Sequence, residues 1–165
     1  MSLLGPPPPI GAFNFRVDFY EQSATGTPDS ALTPICSGRF SEVSGIEATM
    51  EPKAIREGGR NFGEHQRAGM VKFSTVILKR GATTAPDLWT WFELVGKGKS
   101  AIRMQANVIQ MAMDGQTPIM TWVLGNALPI KFRATTLIAT TPDIAIEELH
   151  FVHEDLRLEI AGGAP

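Results

Sequence analysis

The sequence predicts a mainly β fold in which two antiparallel sheets pack as a sandwich or half-barrel, flanked by one α-helix. Three observations support this class. Several segments alternate apolar and polar residues, which is typical of strands with one buried face. Clusters of Gly, Pro, Asp and Ser divide these segments where turns are needed. One stretch instead has the apolar spacing of three and four residues that indicates a helix.

The first strand is predicted over residues 13–20, where four apolar residues, beginning with Phe13, alternate with polar ones. Residues 21–34 are rich in Ser, Thr, Gly and Pro, which predicts a loop. The strand pattern resumes over residues 35–50 and again over residues 71–80. The second of these strands is apolar on both faces towards its end, so we expect it to be buried on both sides.

The helix is predicted over residues 83–98. Thr84 with Asp87 resembles a capping box, and Gly96 can take the left-handed conformation that ends a helix. Such a short amphipathic helix can cover one side of a β core. Its core face, spaced at i, i+3, i+4 and i+7, consists of Leu88, Trp91, Phe92 and Val95.

The last strands are predicted over residues 101–113, 119–125, 127–140 and 144–160. "DGQTP" between the first two is a hairpin signal. The 165 residues fit a single domain. We expect an extended proline-rich leader over residues 1–12, "MSLLGPPPPIGA", and a flexible tail over residues 160–165, "IAGGAP".

The composition argues against several classes of function. The formal net charge of −2 argues against a nucleic-acid binder that relies on a strong basic field. The single cysteine, Cys36, cannot form an internal disulfide. No apolar run approaches the length of a membrane span, so no membrane anchoring is predicted. The start of the chain lacks the basic region of a signal peptide, which predicts synthesis and assembly in a cytoplasm.

Three clusters that resemble chemical sites are interpreted as structural. Residues 98–100, "GKS", lack the earlier glycine and the preceding strand of a phosphate loop. His150 and His153 are three apart in a predicted strand and face opposite sides, so they make a poor metal site. Glu147 and Glu148 likewise make a poor acid–base pair. The sequence predicts no catalytic residue, no cofactor and no metal, and therefore no enzyme.

Residues 51–69, "EPKAIREGGRNFGEHQRAG", are too rich in glycine for a helix interior and too charged for a buried strand. An open β domain must protect its edge strands, and a ring of copies that closes into one barrel leaves no edge. We therefore interpret this segment as an arm that is ordered by another copy of the chain. Its candidate contact residues are Glu51, Lys53, Arg56, Glu57, Gly58, Gly59, Arg60, Asn61, Phe62, Glu64 and Arg67.

Five segments in this order resemble the tail-tube protein family of contractile phage tails and extracellular contractile injection systems. They are "FNFRVDF", "FSEVSGIEATMEPKAIREGGRN", "VILKRG" followed by "LWTWF", "WVLGNALPIKF" and "IAIEELHFVHEDL". The order and spacing of all five carry the resemblance. The arm matches a long loop of that family through residues 56–61. In the family this loop contacts neighbouring subunits and the adjoining ring.

The resemblance implies a tail-tube fold and a mechanical role. Hexameric rings would stack into a hollow tube, which a contracting sheath drives through a target envelope. The implied partners are other copies of the chain, the sheath protein, baseplate or spike and terminator proteins, and cargo or DNA in the lumen. The chain would end in a virion or in a released extracellular particle. The long loop and the proline leader depart from shorter members, and either could mark a ring that meets the baseplate.

The residues leave one alternative open, a β-barrel module that binds a ligand or a protein. In that hypothesis a pocket is lined by Met104, Met111, Met113 and Met120. Methionine also fills ordinary cores, so this cluster favours the alternative only weakly.

Overall fold

A computed structural model describes residues 10–22, 36–59, 61–99, 102–140 and 142–161, and of residues 36–38 it describes the backbone alone. Most of the predicted leader and of the predicted loop over residues 21–34 lies outside these ranges, as do Arg60 and the last four residues. The described chain forms β1 (Phe15–Gln22), β2 (Cys36–Gly38), β3 (Glu42–Ser44), β4 (Ala48–Met50), β5 (Lys53–Ile55), β6 (His65–Arg67), β7 (Val71–Phe73), β8 (Val76–Gly81), α1 (Asp87–Gly96), β9 (Arg103–Met111), β10 (Pro118–Arg133), β11 (Ile146–Val152) and β12 (Asp155–Ile160).

Two antiparallel sheets share strand β10, which confirms the predicted mainly β class. Sheet A has the order β2-β1-β9-β10-β12, and sheet B has the order β10-β11-β8-β3. β10 bends from one sheet into the other near Asn126, where φ is 55° and the register with β9 shifts. β11 and β12 pair one after the other along the same edge of β10, and the two ladders have the same register. The described strands do not close into a barrel, so both sheets keep free edges.

The hydrophobic core lies between the two sheets and under α1. Val17 and Phe19 contribute to it from sheet A, and Leu149 and Phe151 contribute from sheet B, all with no exposed surface. Trp91 of α1 lies between these sets, with its ring centroid 5.2 Å from that of Phe19 and 6.5 Å from that of Phe151. Aromatic pairs at such separations add to the energy of burial, so the helix and the sheets form one packed unit.

Both predicted ends of the helix need correction. α1 begins at Asp87, and no side chain caps it from the residue before. The Asp87 carboxylate that would complete a box with Thr84 accepts hydrogen bonds from Arg80 of sheet B instead. At the other end, Gly96 is still the last helical residue, and Gly98 has the left-handed φ of 96°.

The predicted first strand and tail also differ from the structure. Phe13 is 65% exposed and precedes β1, because the pairing of β1 with β9 begins at Phe15. Ile160 still belongs to β12, and the backbone N–H of Ala161 donates to β10 at 2.9 Å. The predicted flexible tail therefore starts with two residues that are bonded to sheet A.

Candidate assembly surfaces

The predicted arm is a β-hairpin that continues sheet B beyond its end. β4 pairs with β7, and β5 pairs with β6. Ala48 lies opposite Phe73 in the same register that places Ser44 opposite Ile77 in the β3–β8 ladder. The hairpin therefore extends that ladder without a shift and leaves the body at the end of sheet B where β8 begins. We call residues 48–73 the arm.

One ion pair and one further polar contact join the two strands of the arm near its tip. Arg56 Nε lies 2.5 Å from Glu64 Oε1, and His65 Nε2 lies 3.0 Å from Glu57 Oε2. More than a third of each of these side chains is exposed, so the pairs contribute little to the stability of a single subunit.

The predicted contact residues all lie in the arm, and those that the structure describes are exposed. These are Glu51, Lys53, Arg56, Glu57, Gly58, Gly59, Asn61, Phe62, Glu64 and Arg67. Arg60 lies outside the described residues. A two-stranded ribbon that buries so little surface is only marginally stable alone.

A β-bulge divides the arm into two halves. Between the β4–β7 and β5–β6 ladders the outgoing strand advances three residues while the returning strand advances four. Such an extra residue bends the ribbon and increases its twist. Gly69 lies at this point, and a Cβ there would come within 1.8 Å of the carbonyl oxygen of Glu51. Glycine is therefore required for the two strands to approach so closely.

The base of the arm has an apolar face that the predicted boundaries excluded. Met50 lies opposite Val71, and Ala48 lies opposite Phe73, so these four side chains share one face. Met50 is 49% exposed and Val71 is 43% exposed, and the neighbouring Met70 is 80% exposed. The face exists only through the pairing of β4 with β7, which explains why a linear pattern did not show it.

The face of sheet A that turns away from the core is mostly polar, with the buried apolar residues Ile109, Met111 and Val123 among its polar ones. Arg16 Nε donates to Asp18 Oδ2 at 2.9 Å, and Gln105 Nε2 donates to Asn107 Oδ1 at 2.9 Å. Tyr20 shares this face, where burial and then the charge of Asp18 raise its pKa. Since alternate residues of a strand share a face, charges of both signs in equal number lie here: Arg16, Arg103, Arg157, Asp18, Asp155 and Glu159.

β12 is a free edge of sheet A. Leu156, Leu158 and Ile160 alternate along it with charged residues, and the last two are 44% and 59% exposed. β10 pairs with one side of β12, and no other described strand pairs with its outer side. An exposed edge of this kind is a template for pairing with another chain.

The predicted core face of α1 is only partly buried. Leu88 and Trp91 are 1% and 3% exposed, and Val95 packs against the core from its margin. Phe92 turns aside and contacts Trp89, with 5.8 Å between ring centroids. Two aromatic residues therefore extend the helix surface towards the solvent.

A buried ion cluster joins α1 to sheet B. Arg80 is 5% exposed and donates to Asp87 at the start of α1 and to Glu147 in β11. Burial opposes the charge, but hydrogen bonds with the two carboxylates outweigh it and raise the pKa of Arg80. Its guanidinium carbon also lies 5.8 Å from the ring centroid of Phe40. All these partners belong to packed elements of the fold, so the cluster is structural.

The four methionines of the ligand-pocket hypothesis do not share one pocket: Met111 and Met113 line a cleft of about 590 Å³ that does not include Met104 or Met120. Met104 lies on the core face of β9, whereas Met111 lies on the opposite face, because they are an odd number of residues apart. Met113 is 85% exposed in the turn after β9. Within the described part of the chain, no cluster of His, Cys, Asp or Glu side chains is arranged to hold a metal ion. None of the described helical residues forms a segment long and apolar enough to cross a membrane.

Comparison with known proteins identifies the family to which this fold belongs. The chain matches the model of the T4-like virus tail tube protein gp19 over residues 11–157. A protein in the baseplate of the anti-feeding prophage (AFP) is similar in structure, with a TM-score of 0.76 and 25% sequence identity over 93% of this chain and 97% of that chain. A protein in the sheath–tube complex of PVC, an extracellular contractile injection system, has a TM-score of 0.74 and 19% identity over 93% of each chain. Another, in the AFP tube-terminating cap, has a TM-score of 0.75 and 15% identity over 97% of each chain. Among functionally curated proteins, none matches this sequence.

The described residues form a half-open β sandwich with a protruding arm, and proteins of similar structure belong to the tubes, baseplates and caps of contractile particles. The family model covers most of the chain, so this protein belongs to the T4-like virus tail tube protein family. It is therefore a structural subunit of a tube and not an enzyme.

Proposed function

We propose that this chain forms the inner tube of a contractile tail or injection system, with six copies in each ring. Sheet A is the observation that carries the proposal, because it combines a mostly polar face with edges at β2 and β12 on which no other described strand pairs. Pairing the free edges of neighbouring copies would close one barrel without unpaired strands. The polar face would then line the bore, while sheet B and α1 cover the apolar side.

The arm is the proposed clamp between subunits. It projects beyond the end of sheet B and buries little surface within its own subunit. Between subunits, pairs such as Arg56 with Glu64 are shielded from solvent and become stronger than they are on a free surface. The residues of the predicted arm, 51–69, would then contribute to assembly more than to the subunit core.

Stacked rings form a hollow conduit for cargo or DNA, and a contracting sheath drives this conduit through a target envelope. Similarity to proteins of sheath–tube, baseplate and cap assemblies supports these partners. The proposed partners are further copies of the chain, the sheath protein, baseplate or spike proteins and a terminator. Assembly takes place in the cytoplasm, and the product is part of a virion or of a released particle.

One observation favours a more specific role within such a particle. The AFP baseplate protein has 25% sequence identity with this chain, and the protein of the PVC sheath–tube complex has 19%. The long segment over residues 21–34 and the proline leader also depart from shorter family members. We therefore propose a ring close to the baseplate as the second candidate function.

Electron microscopy of the purified chain tests the proposal. Rings or tubes are expected, and a clean monomer at high concentration would contradict it. A variant in which residues 54–63 are replaced by a short Gly/Ser linker should remain folded by circular dichroism and lose its rings. If this variant still forms tubes, the clamp role is wrong. If it unfolds as a monomer, the arm belongs to the core.

A further inference from the structure

We infer that the apolar face at the base of the arm packs against the β10–β11 connection of a second copy of this chain. This contact would join the two copies head to tail. The inference rests on the proposed tube function and names the two surfaces through which one ring would bind the next.

The donor surface is the face formed by Ala48, Met50, Val71 and Phe73. The opposite face of the same ribbon is polar and carries an ion pair, in which Lys72 Nζ lies 3.0 Å from Glu51 Oε1. The arm base is therefore amphipathic. Of these side chains, Phe73 packs within its own subunit against the ring of His153, at 4.9 Å between centroids. The outer part of the face remains available to another chain.

The acceptor surface is the connection between β10 and β11, described over residues 134–140 and 142–145. Leu137, Ile138 and Ile144 are 88%, 56% and 83% exposed there, and Ile146 at the start of β11 is 46% exposed. Three of these residues help to line a cleft of about 110 Å³. Large apolar side chains exposed together mark a surface that binds a partner.

Hydrogen bonds hold this acceptor surface to sheet B. Thr135 Oγ1 donates to the carbonyl oxygen of Ile146 at 2.8 Å, and the backbone N–H of Ala82 donates to that of Ala145 at 2.8 Å. The apolar side chains are thus presented from a connection that is bonded to the sheet at both of its ends. A partner would lose little conformational entropy by binding there.

The two surfaces lie at opposite ends of sheet B. The arm leaves the sheet beside Val76, where β8 begins, and continues the β3–β8 register. The β10–β11 connection meets the other end, where Gly81 of β8 lies opposite Ile146. Contact between two different patches closes a ring where the copies are related by rotation and gives an open stack where they are related by translation. Patches at opposite ends of one sheet favour the translation and therefore the stack. Contact between two arms would instead close a dimer.

The occupant is therefore another copy of this chain. Each surface needs an apolar partner, the same chain carries both, and their placement gives the translation along one axis that a tube requires. Charges are scarce on the acceptor, where Asp143 is the one charged residue described, so the contact would depend on burial of apolar area and depend little on salt.

Disulfide trapping tests the contact. Cys36→Ser removes the single natural cysteine, and Met50→Cys with Leu137→Cys places one thiol on each surface. Mild oxidation of the assembled protein should give a ladder of covalent multimers on a non-reducing denaturing gel. The matched control pairs Met50→Cys with Met113→Cys, because Met113 is 85% exposed and lies outside both surfaces. The control should give at least tenfold less of the ladder.

The outcomes separate this inference from the proposed function. Tubes without a ladder, or with an equal ladder from the control, would overturn the contact and leave the tube function standing. Dimers alone would indicate an arm-to-arm contact and would also overturn it. A parent protein that remains monomeric would overturn both. As a second test, Leu137→Glu with Ile144→Glu should shift the particles from tubes to single rings, and tubes of normal length would contradict the inference.

Discussion

Arg80 holds the first turn of α1 through Asp87. Its Nη1 donates to Oδ2 of that carboxylate at 3.1 Å, and its Nη2 donates to Oδ1. The same guanidinium donates through Nε to Glu147 in β11. One side chain thus connects the helix with two strands of sheet B, which places Trp91 over the core between the sheets.

Arg80→Met should lower the free energy of unfolding by about 3–5 kcal/mol, because it leaves two carboxylates with little exposed surface and no cation. Denaturant unfolding followed by circular dichroism measures the change. Lys79→Met is the matched control, since Lys79 precedes Arg80 on the opposite face and pairs with the half-exposed Glu42 at 2.9 Å. The control should change little. A loss as large as that of Arg80→Met would mean that charge on β8, and not the buried cluster, stabilises the fold.

Trp91→Ala should cost about 3–5 kcal/mol of stability, because it empties a site between Phe19 and Phe151. The folding yield should fall together with the melting temperature. Trp89→Ala provides the control, because Trp89 is 44% exposed on the same helix and should cost clearly less. Equal melting temperatures for Trp91→Ala and the parent would show that this ring is not part of the core.

Protonation of His153 should weaken the subunit at acidic pH. His153 is 6% exposed, its Nδ1 lies 3.0 Å from the carbonyl oxygen of Asp155, and its ring lies against Phe73 at the base of the arm. Burial lowers the pKa of His153, although the carbonyl and the charge of Asp155 partly oppose this. The folded state therefore takes up the proton at a lower pH than the unfolded chain, whose histidine titrates near 6.5.

The stability that neutral His153 supports should be complete above about pH 6.5 and should decline as the pH falls through the folded-state pKa. Thermal melts between pH 5 and pH 8 measure this dependence as a shift of the melting temperature on the order of a few degrees. His153→Gln should flatten the curve. A parental slope that survives in His153→Gln would assign the effect to another group.

Free DNA should bind weakly and in a salt-sensitive manner. The polar face of sheet A carries arginine and carboxylate side chains in equal number, so it offers no strong basic field to release counterions. Fluorescence anisotropy with a labelled oligonucleotide, in about 0.05 M and about 0.2 M salt, tests this. Tight binding at the higher salt concentration would argue against a conduit through which nucleic acid must pass.

The sequence predicted the parts of the fold that local periodicity controls. β1 and β9 alternate clearly, and the helix repeats its apolar residues at the expected spacing, because each of these elements buries one face. β10 was predicted as two strands, over residues 119–125 and 127–140, whereas the structure has one strand over Pro118–Arg133. The same periodicity predicted an open sheet, and an open sheet has edge strands that must be protected. The family resemblance then supplied the assembly in which those edges could be paired.

Long-range partners could not be predicted in the same way. Arg80 and Glu147 are 67 positions apart and meet only through the pairing of β8 with β11. The base of the arm was missed for a similar reason, since Met50 and Val71 become one face only when the hairpin register is known. A segment rich in charge and glycine gave no strand signal, because cross-strand ion pairs replace an apolar face at its tip.

Gly69→Ala should disrupt assembly while it leaves the body of the subunit folded. The added methyl group would lie 1.8 Å from the carbonyl oxygen of Glu51, so one strand of the arm must move and the bulge must open. The arm contributes none of the buried core, and circular dichroism and the melting temperature should therefore remain close to those of the parent. Electron micrographs should show fewer and shorter tubes, because the apolar base and the charged tip would no longer have the same relative orientation.

Gly58→Ala is the matched control for this prediction. Gly58 lies in the same arm, and a Cβ there would meet no atom within 4 Å, so the same change of one methyl group should be tolerated. Both variants carry an added alanine in an exposed ribbon and differ only in the close approach of the backbones. Tubes of normal length from Gly69→Ala would show that the bend of the arm is not needed for assembly. Loss of tubes in both variants would show that assembly depends on the flexibility of the arm and not on the bulge.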